Sequence, residues 1–270
     1  MLMRLAELWR YRELVRNLIE RDLKVRYKNS VLGIAWSWIN PLLMMVVFTV
    51  VFTVINRAPP NIPHYPVFIL CGILPWNFFS ASVVGATASV VGSGYLIKKV
   101  YFPREILPLV AVLSSMVNFI IALPVFFGMA LAFGVKLTPW VLFMPVVLLV
   151  QVIFSIGIGL LLATLNVYYR DTQIIMEVLM LAWFFVTPIL WDARAISETK
   201  MLFGITWPIQ RLVYWLNPMA SIIASYRDTL YWGAQPAMDF FARSTMTALI
   251  ILALGYAVFH RFSASFAEEL

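Results

Sequence analysis

Charge is scarce in this chain of 270 residues. Only 12% of positions are Asp, Glu, Lys or Arg, against 62% hydrophobic. Soluble domains carry about a quarter charged residues and use them to cover their surface, so a soluble fold is excluded. Cysteine is down to one, Cys71, in an apolar run. That excludes a disulfide scaffold and leaves a small buried hydrophobe as its simplest role. The two histidines, His64 and His260, lie too far apart in sequence to suggest a metal site. No Gly-x-x-x-x-Gly-Lys-Ser/Thr, His-Glu-x-x-His or Gly-x-Ser-x-Gly segment occurs, so no nucleotide loop and no catalytic constellation is expected. No leader-type apolar segment is read near the start. Glu177 is the exception to an otherwise charge-poor set of apolar runs. An interface carboxylate paired with a nearby arginine is a simpler role for it than a proton relay.

What is present is a series of long apolar segments. A helix needs ~20 mostly apolar residues to cross the hydrocarbon core. The 28 charge-free residues between Lys28 and Arg57 place a first span near 32–55. The 40 between Arg57 and Lys98, broken early by Pro59, Pro60, Pro63 and Pro66, place a second near 65–90. Further spans are expected near 107–133, 140–165, 172–191 and 240–260. The expected class is an all-α polytopic membrane protein with six transmembrane helices, followed by a tail over 261–270. Lys and Arg set its orientation. Eight of the 20 basic residues precede position 29, and Lys98, Lys99, Arg104, Arg170 and Arg261 fall on the same side of the six-span plan. That side is expected to be cytoplasmic, with both termini inside. The formal charge of +7 is therefore a membrane-orientation signal rather than a nucleic-acid surface.

Three segments outside the spans carry their own patterns. Residues 1–30 contain an amphipathic helix pattern: Leu5, Leu8, Trp9, Val15, Ile19 and Leu23 share one arc, and Arg10, Glu13, Arg21, Lys24 and Lys28 the other. A membrane-surface helix bound to anionic lipid explains it, and a docking surface for a partner is compatible. The loop 94–105 is short, basic and aromatic, and Pro103 restricts Phe102 to extended backbone. Segment 192–239 is too apolar for a free loop. A helix pair dipping into the outer leaflet and broken at Asn217-Pro218 competes with a simple aromatic belt. Within the spans, Trp36, Trp38, Trp76, Phe78 and Phe79 are candidates for stacking on sugar rings. Ser155-Ile-Gly-Ile-Gly159 followed by Ala163 suits close helix packing.

Several of these segments resemble one family. They are Arg21-Asp-Leu-Lys-Val-Arg-Tyr-Lys28 through Asn40-Pro41-Leu42, Gly72-Ile-Leu-Pro-Trp-Asn-Phe-Phe79, and Leu96-Ile-Lys-Lys-Val-Tyr-Phe-Pro103 with Pro108. Asn166-Val-Tyr-Tyr-Arg-Asp171 and Leu216-Asn-Pro-Met219 with Tyr226-Arg-Asp228 complete the set. In this order they resemble the membrane subunit of type-2 ABC exporters of cell-surface polysaccharides, O-antigen foremost, with capsule and teichoic acid as alternatives. The resemblance implies a homodimer in the inner membrane with an ABC ATPase dimer on its cytoplasmic side. ATP and Mg would be used by that partner and not by this chain. Residues 1–30 become an interface helix. Lys98, Lys99, Tyr101, Phe102 and Arg104 become a coupling helix, with Arg170 and Asp171 as a second contact. Trp207, Tyr214, Trp215, Asn217, Tyr226 and Arg227 fall in re-entrant extracellular gate helices between spans five and six. The implied substrate is a polyprenyl diphosphate-linked glycan. Its phosphates suit Arg21, Lys24, Arg26 and Lys28 as an interface cluster. A flippase driven by an ion gradient is the reading from another class, and the paucity of intramembrane charge argues against it.

Overall fold

The computed structural model describes residues 10–28, 30–55, 62–100, 102–195, 200–202, 205–207 and 209–270. Helices dominate: α1 (Arg12–Tyr27), α2 (Trp36–Val50, continued by a wider turn through Ile55), α3 (Tyr65–Gly92), α4 (Gly94–Lys99), α5 (Ile106–Ala132), α6 (Met144–Tyr168), α7 (Asp171–Val186), α8 (Ile209–Leu216), α9 (Pro218–Leu230), α10 (Met238–Phe262) and α11 (Phe266–Glu269). A short antiparallel pair, β1 (Lys200–Leu202) and β2 (Ile205–Trp207), sets Met201 opposite Thr206 and is the one departure from an all-helical chain among the described residues.

Among the described residues, five segments are long and apolar enough to cross a membrane: Gly33–Val54, Tyr65–Gly92, Ile106–Ala132, Pro139–Tyr168 and Met238–Glu269. The first four lie within three residues of the expected spans, and the fifth starts two residues before its expected 240 and runs nine past its expected 260. The segment expected as a span over 172–191 differs. It forms a helix of 16 residues, about 24 Å at 1.5 Å per residue, short of a ~30 Å core. The cause is local. Thr187 precedes Pro188 and is extended (φ −83°, ψ 136°), as steric clash with a following proline ring demands, so α7 stops at Val186.

The bundle is organised around α3. Its apolar window is 78% buried, against 11% for α2 and 22% for α10, so α3 is central and the other two peripheral. Pro75 removes one donor inside α3 without ending the helix. Two polar side chains from α6 then tie to α3: Gln151 donates to the Pro75 carbonyl at 2.7 Å, and Asn166 to the Thr87 carbonyl at 3.0 Å. In lipid such bonds substitute for water that is absent.

Glycines set the closest helix approaches. A Cβ added at Gly157 of α6 would lie 2.6 Å from the Leu252 nitrogen of α10, and one at Gly255 only 2.2 Å from the Gly157 carbonyl oxygen. The backbones of α6 and α10 touch there. Two residues on, Gly159 faces α3, where its Cβ would meet Ala86 Cβ at 2.7 Å. The small-residue spacing read from the sequence therefore serves two neighbours at once. Gly255→Val should force the pair apart at a cost of about 1–3 kcal/mol. Gly128, with no neighbour within 4 Å of an added Cβ, should accept valine with little change. Thermal unfolding of the two variants in detergent compares them directly, and equal melting would remove the packing argument.

Two apolar clusters follow. The larger joins α3, α5, α6 and α9. The smaller joins Leu18 of α1, Ile97 of α4, Phe102, Val167 of α6, Phe259 of α10 and Phe266 of α11. So α1 and α11 pack at the same end of the bundle, beside the basic loop 93–105. The opposite end carries the segment between α7 and α10.

Candidate functional site: a basic platform, a polar cleft and an arginine cage

At the basic end, α4 is a platform pinned from below. Ile97 and Phe102 point into the smaller cluster, while Lys98 and Lys99 are exposed. Lys99 bonds the Tyr95 hydroxyl, with Nζ 4.1 Å from that ring's centre. A hollow of about 220 Å³ lies among Lys98, Lys99, Phe102 and Arg104. Phe102 is thus a buried anchor rather than a contact surface, and Arg104 is half-buried. Tyr101 lies outside the described residues. Arg170 and Asp171 are exposed at the start of α7. Just before them, Tyr168 bonds Ser265 (2.6 Å) and packs edge-on against Phe262 and Phe266, which fixes α11.

Between α1, α2, α3 and α5 lies a cleft of about 650 Å³. The four basic residues expected there separate. Arg26 lines the cleft, whereas Arg21 is paired with Asp22 at 3.0 Å. Lys24 and Lys28 are exposed and line no part of the cleft. Of the five candidate aromatics, Trp36 and Trp38 are each 43% exposed, and Trp38 Nε1 donates to the Ile121 carbonyl at 2.6 Å. Trp76 and Phe79 are buried in the protomer, within 6.4 Å of Trp183 between ring centres. Phe78 is buried against Phe119 and its edge forms part of the cleft wall. The cleft also holds Asn40, Asn77 and Asn118, which sequence reasoning missed. The available signal was an amide in each of three apolar spans.

At the other end, the helix break falls at Asn217, as read from the sequence. Its Oδ1 caps α9 by accepting from the Met219 and Ala220 nitrogens (3.1 and 3.3 Å). That oxygen also accepts from Trp183 Nε1 (2.9 Å), and Asn217 Nδ2 donates to Thr187 Oγ1 (2.8 Å). One side chain therefore joins α7 to α9, and the backbone nitrogen of the same residue bonds the Val213 carbonyl of α8 at 3.2 Å. Trp215 is half-exposed with the Arg243 guanidinium 4.5 Å from its ring centre, and Tyr214 packs against Phe240 at 4.9 Å. Tyr226 is wholly buried. Trp207 lies on β2, and its side chain is outside what is described.

Arg227 is the centre of this end. It is buried, and its fork donates to the carbonyls of Pro188 (2.5 Å), Ile189 and Trp191 (3.3 Å). Its guanidinium carbon lies 3.7 Å from the Phe68 ring centre. Gly72 leaves the room: a Cβ there would stand 2.8 Å from Arg227 Nη2 and 3.0 Å from the Ile189 oxygen. Beside it Asp228 pairs with Arg194. Burial pushes the Asp228 carboxyl up, and the Arg194 charge opposes that shift.

A bundle of long apolar helices with a pinned basic platform at one end defines a multi-pass membrane protein. Residues 13–231 match the family model described as "ABC-2 type transporter", and the chain belongs to that family. It is 34% identical over 264 residues to the O-antigen export system permease protein RfbA of Myxococcus xanthus, covering 98% of each chain. Two proteins of that name from Klebsiella pneumoniae are 33% and 32% identical, over 94% of this chain and 93% of their own length.

Proposed function

We propose that this chain is the membrane subunit of an ATP-driven exporter that carries a polyprenyl diphosphate-linked polysaccharide of the O-antigen type across the inner membrane. The observation that carries this is the platform at the basic end. Two lysines project from a short helix that is clamped from behind by the first and last described helices. Apolar anchoring of a strongly basic, exposed turn suits a rigid contact for a separate ATPase, which would supply the hydrolysis this chain has no motif for. In this reading the basic end faces the cytoplasm, and α7 crosses as a sixth, short span with help from the buried 187–190 turn. Two copies then meet along the least covered helices, α2 and α7. Glu177 supports that arrangement. It is exposed on α7 among Ile174, Val178 and Leu181, with no ion pair among the described residues. A carboxylate facing lipid is costly, so this face meets a polar path between copies instead. Helices α8 and α9 form the gate at the far side.

Two measurements test the reading. Deleting the gene should leave lipid-linked polysaccharide on the inner face of the membrane, and the tagged chain should co-purify with an ATPase. Normal surface polysaccharide in the deletion strain would rule the export role out.

A further inference from the structure

The large cleft is not isolated. A second hollow of about 270 Å³ adjoins it and shares Arg26, Ala81 and Ser115. Together they make one groove between α1, α3 and α5, running from Gly92 and Ser93 at the basic end up to Trp36 and Asn77. Its floor is a stripe of small residues on α3, Ala81, Gly85, Ala88 and Gly92, all on one helical face. Small side chains leave width. Polar groups without partners give the groove its chemistry. Ser114 is 2% exposed, lines the lower part, and its hydroxyl has no hydrogen-bond partner. Asn118 accepts from the Tyr27 hydroxyl at 2.7 Å, but its Nδ2 has none. Unmet polar groups of this kind cost free energy and call for a ligand or water. Arg26 stands at the neck with no acidic partner among the described residues, whereas Arg21 and Asp22, which also line the lower hollow, are paired with each other at 3.0 Å.

A guanidinium without an acidic partner suits a phosphate, and amides and hydroxyls beside an indole face suit a sugar. The stretch joining α1 to α2 passes this neck with Val31, Leu32 and Ile34 exposed, a surface fit for a hydrocarbon chain. Building on the export role, we propose that the groove between α1, α3 and α5 receives the phosphorylated sugar headgroup of the lipid-linked glycan, with Arg26 holding the phosphate at its neck. The headgroup climbs from the basic end past Gly92 and Gly85 to the asparagine-lined cleft, and the prenyl chain trails out beside Val31.

The test uses the intact complex. An added Cβ at Gly92 meets nothing within 4 Å, and at Gly85 only Ala111 at 3.6 Å, so the first side-chain carbon fits at both positions without a clash. Cys71, the one cysteine of this chain, is buried, so maleimide labelling of this chain, resolved from the ATPase on a gel, reports on Gly92→Cys alone. A polyprenyl-diphosphate N-acetylhexosamine in nanodiscs should slow that labelling about tenfold, and phosphatidylglycerol at the same concentration should not. Gly85→Leu and Arg26→Ala should each lower export by about tenfold with ATPase assembly unchanged, the loss expected for one charge-assisted contact. Equal protection by phosphatidylglycerol would make this a general phospholipid site and overturn the proposal. So would wild-type export by both variants. If the wild-type complex itself exports no lipid-linked glycan, the export role fails; export by wild type and variants alike removes the groove alone.

Discussion

Replacing Arg227 with alanine is expected to lower the melting temperature of the purified permease by roughly 6–12 °C. The substitution leaves the carbonyls of Pro188, Ile189 and Trp191 without their shared donor. Each buried orphan costs about 1–3 kcal/mol, so the loss reaches about 3 kcal/mol or more. Arg227→Lys should recover little of it. An ammonium is a point donor and cannot span three carbonyls as a planar fork does. Gly72→Leu should reproduce the loss by a different route, because its Cβ alone already meets Arg227 Nη2 at 2.8 Å. Melting curves in detergent compare the three variants, and an Arg227→Ala protein that melts with wild type would show that the cage contributes nothing. Its energetic weight matters because it is the point where α3, the 187–191 turn and α9 are fastened together. The gate motion proposed for α8 and α9 would have to hinge against it.

Reversing the charge of the platform, Lys98→Glu with Lys99→Glu, should reduce export by tenfold or more while the melting temperature stays within a few degrees of wild type. Both side chains are exposed, and the anchoring belongs to Ile97 and Phe102. Exposed charges contribute little to stability, whereas a like-charge clash at a docking surface costs several kcal/mol. Phe102→Ala should behave in the opposite manner. It removes a buried ring worth about 3–5 kcal/mol and so destabilises the protein before it disturbs docking. Export assays paired with co-purification of the ATPase separate the two effects. Undiminished export by the double glutamate variant would remove α4 as the coupling element.

The contrast between Lys98 and Phe102 illustrates how far residue patterns reach. Both belong to one basic, aromatic loop, and the loop was legible as a contact because charge cannot enter the bilayer. Which residue faces outward was not, since that depends on Leu18 and Phe266, far away in sequence. Trp76, Phe78 and Phe79 make the same point. They were expected to line a path, yet α3 is apolar on every side, so no periodicity distinguishes its lipid, core and cleft faces. The helix break at Asn217 was readable because the cap is local, its acceptor and donors lying within three residues. The Arg227 cage was not, because its acceptors lie nearly 40 residues earlier and Gly72 more than 150.

Membrane residence, the position of the five long apolar helices, and the basic end of the bundle were all set by local sums, whereas the segment read as a further span over 172–191 forms a helix of only 16 residues. Transfer of apolar residues out of water adds up along a helix, and charge is excluded from the bilayer wherever it falls. Which glycine touches which backbone, which of four arginines and lysines reaches the cleft, and which aromatics are core came only from the packed bundle. Those depend on contacts between segments far apart in the chain. The scarcity of charge thus separates into two parts: exposed lysines that any ordering of the same residues would keep out of lipid, and Arg26 and Arg227, whose chemistry exists only because particular helices pack around them.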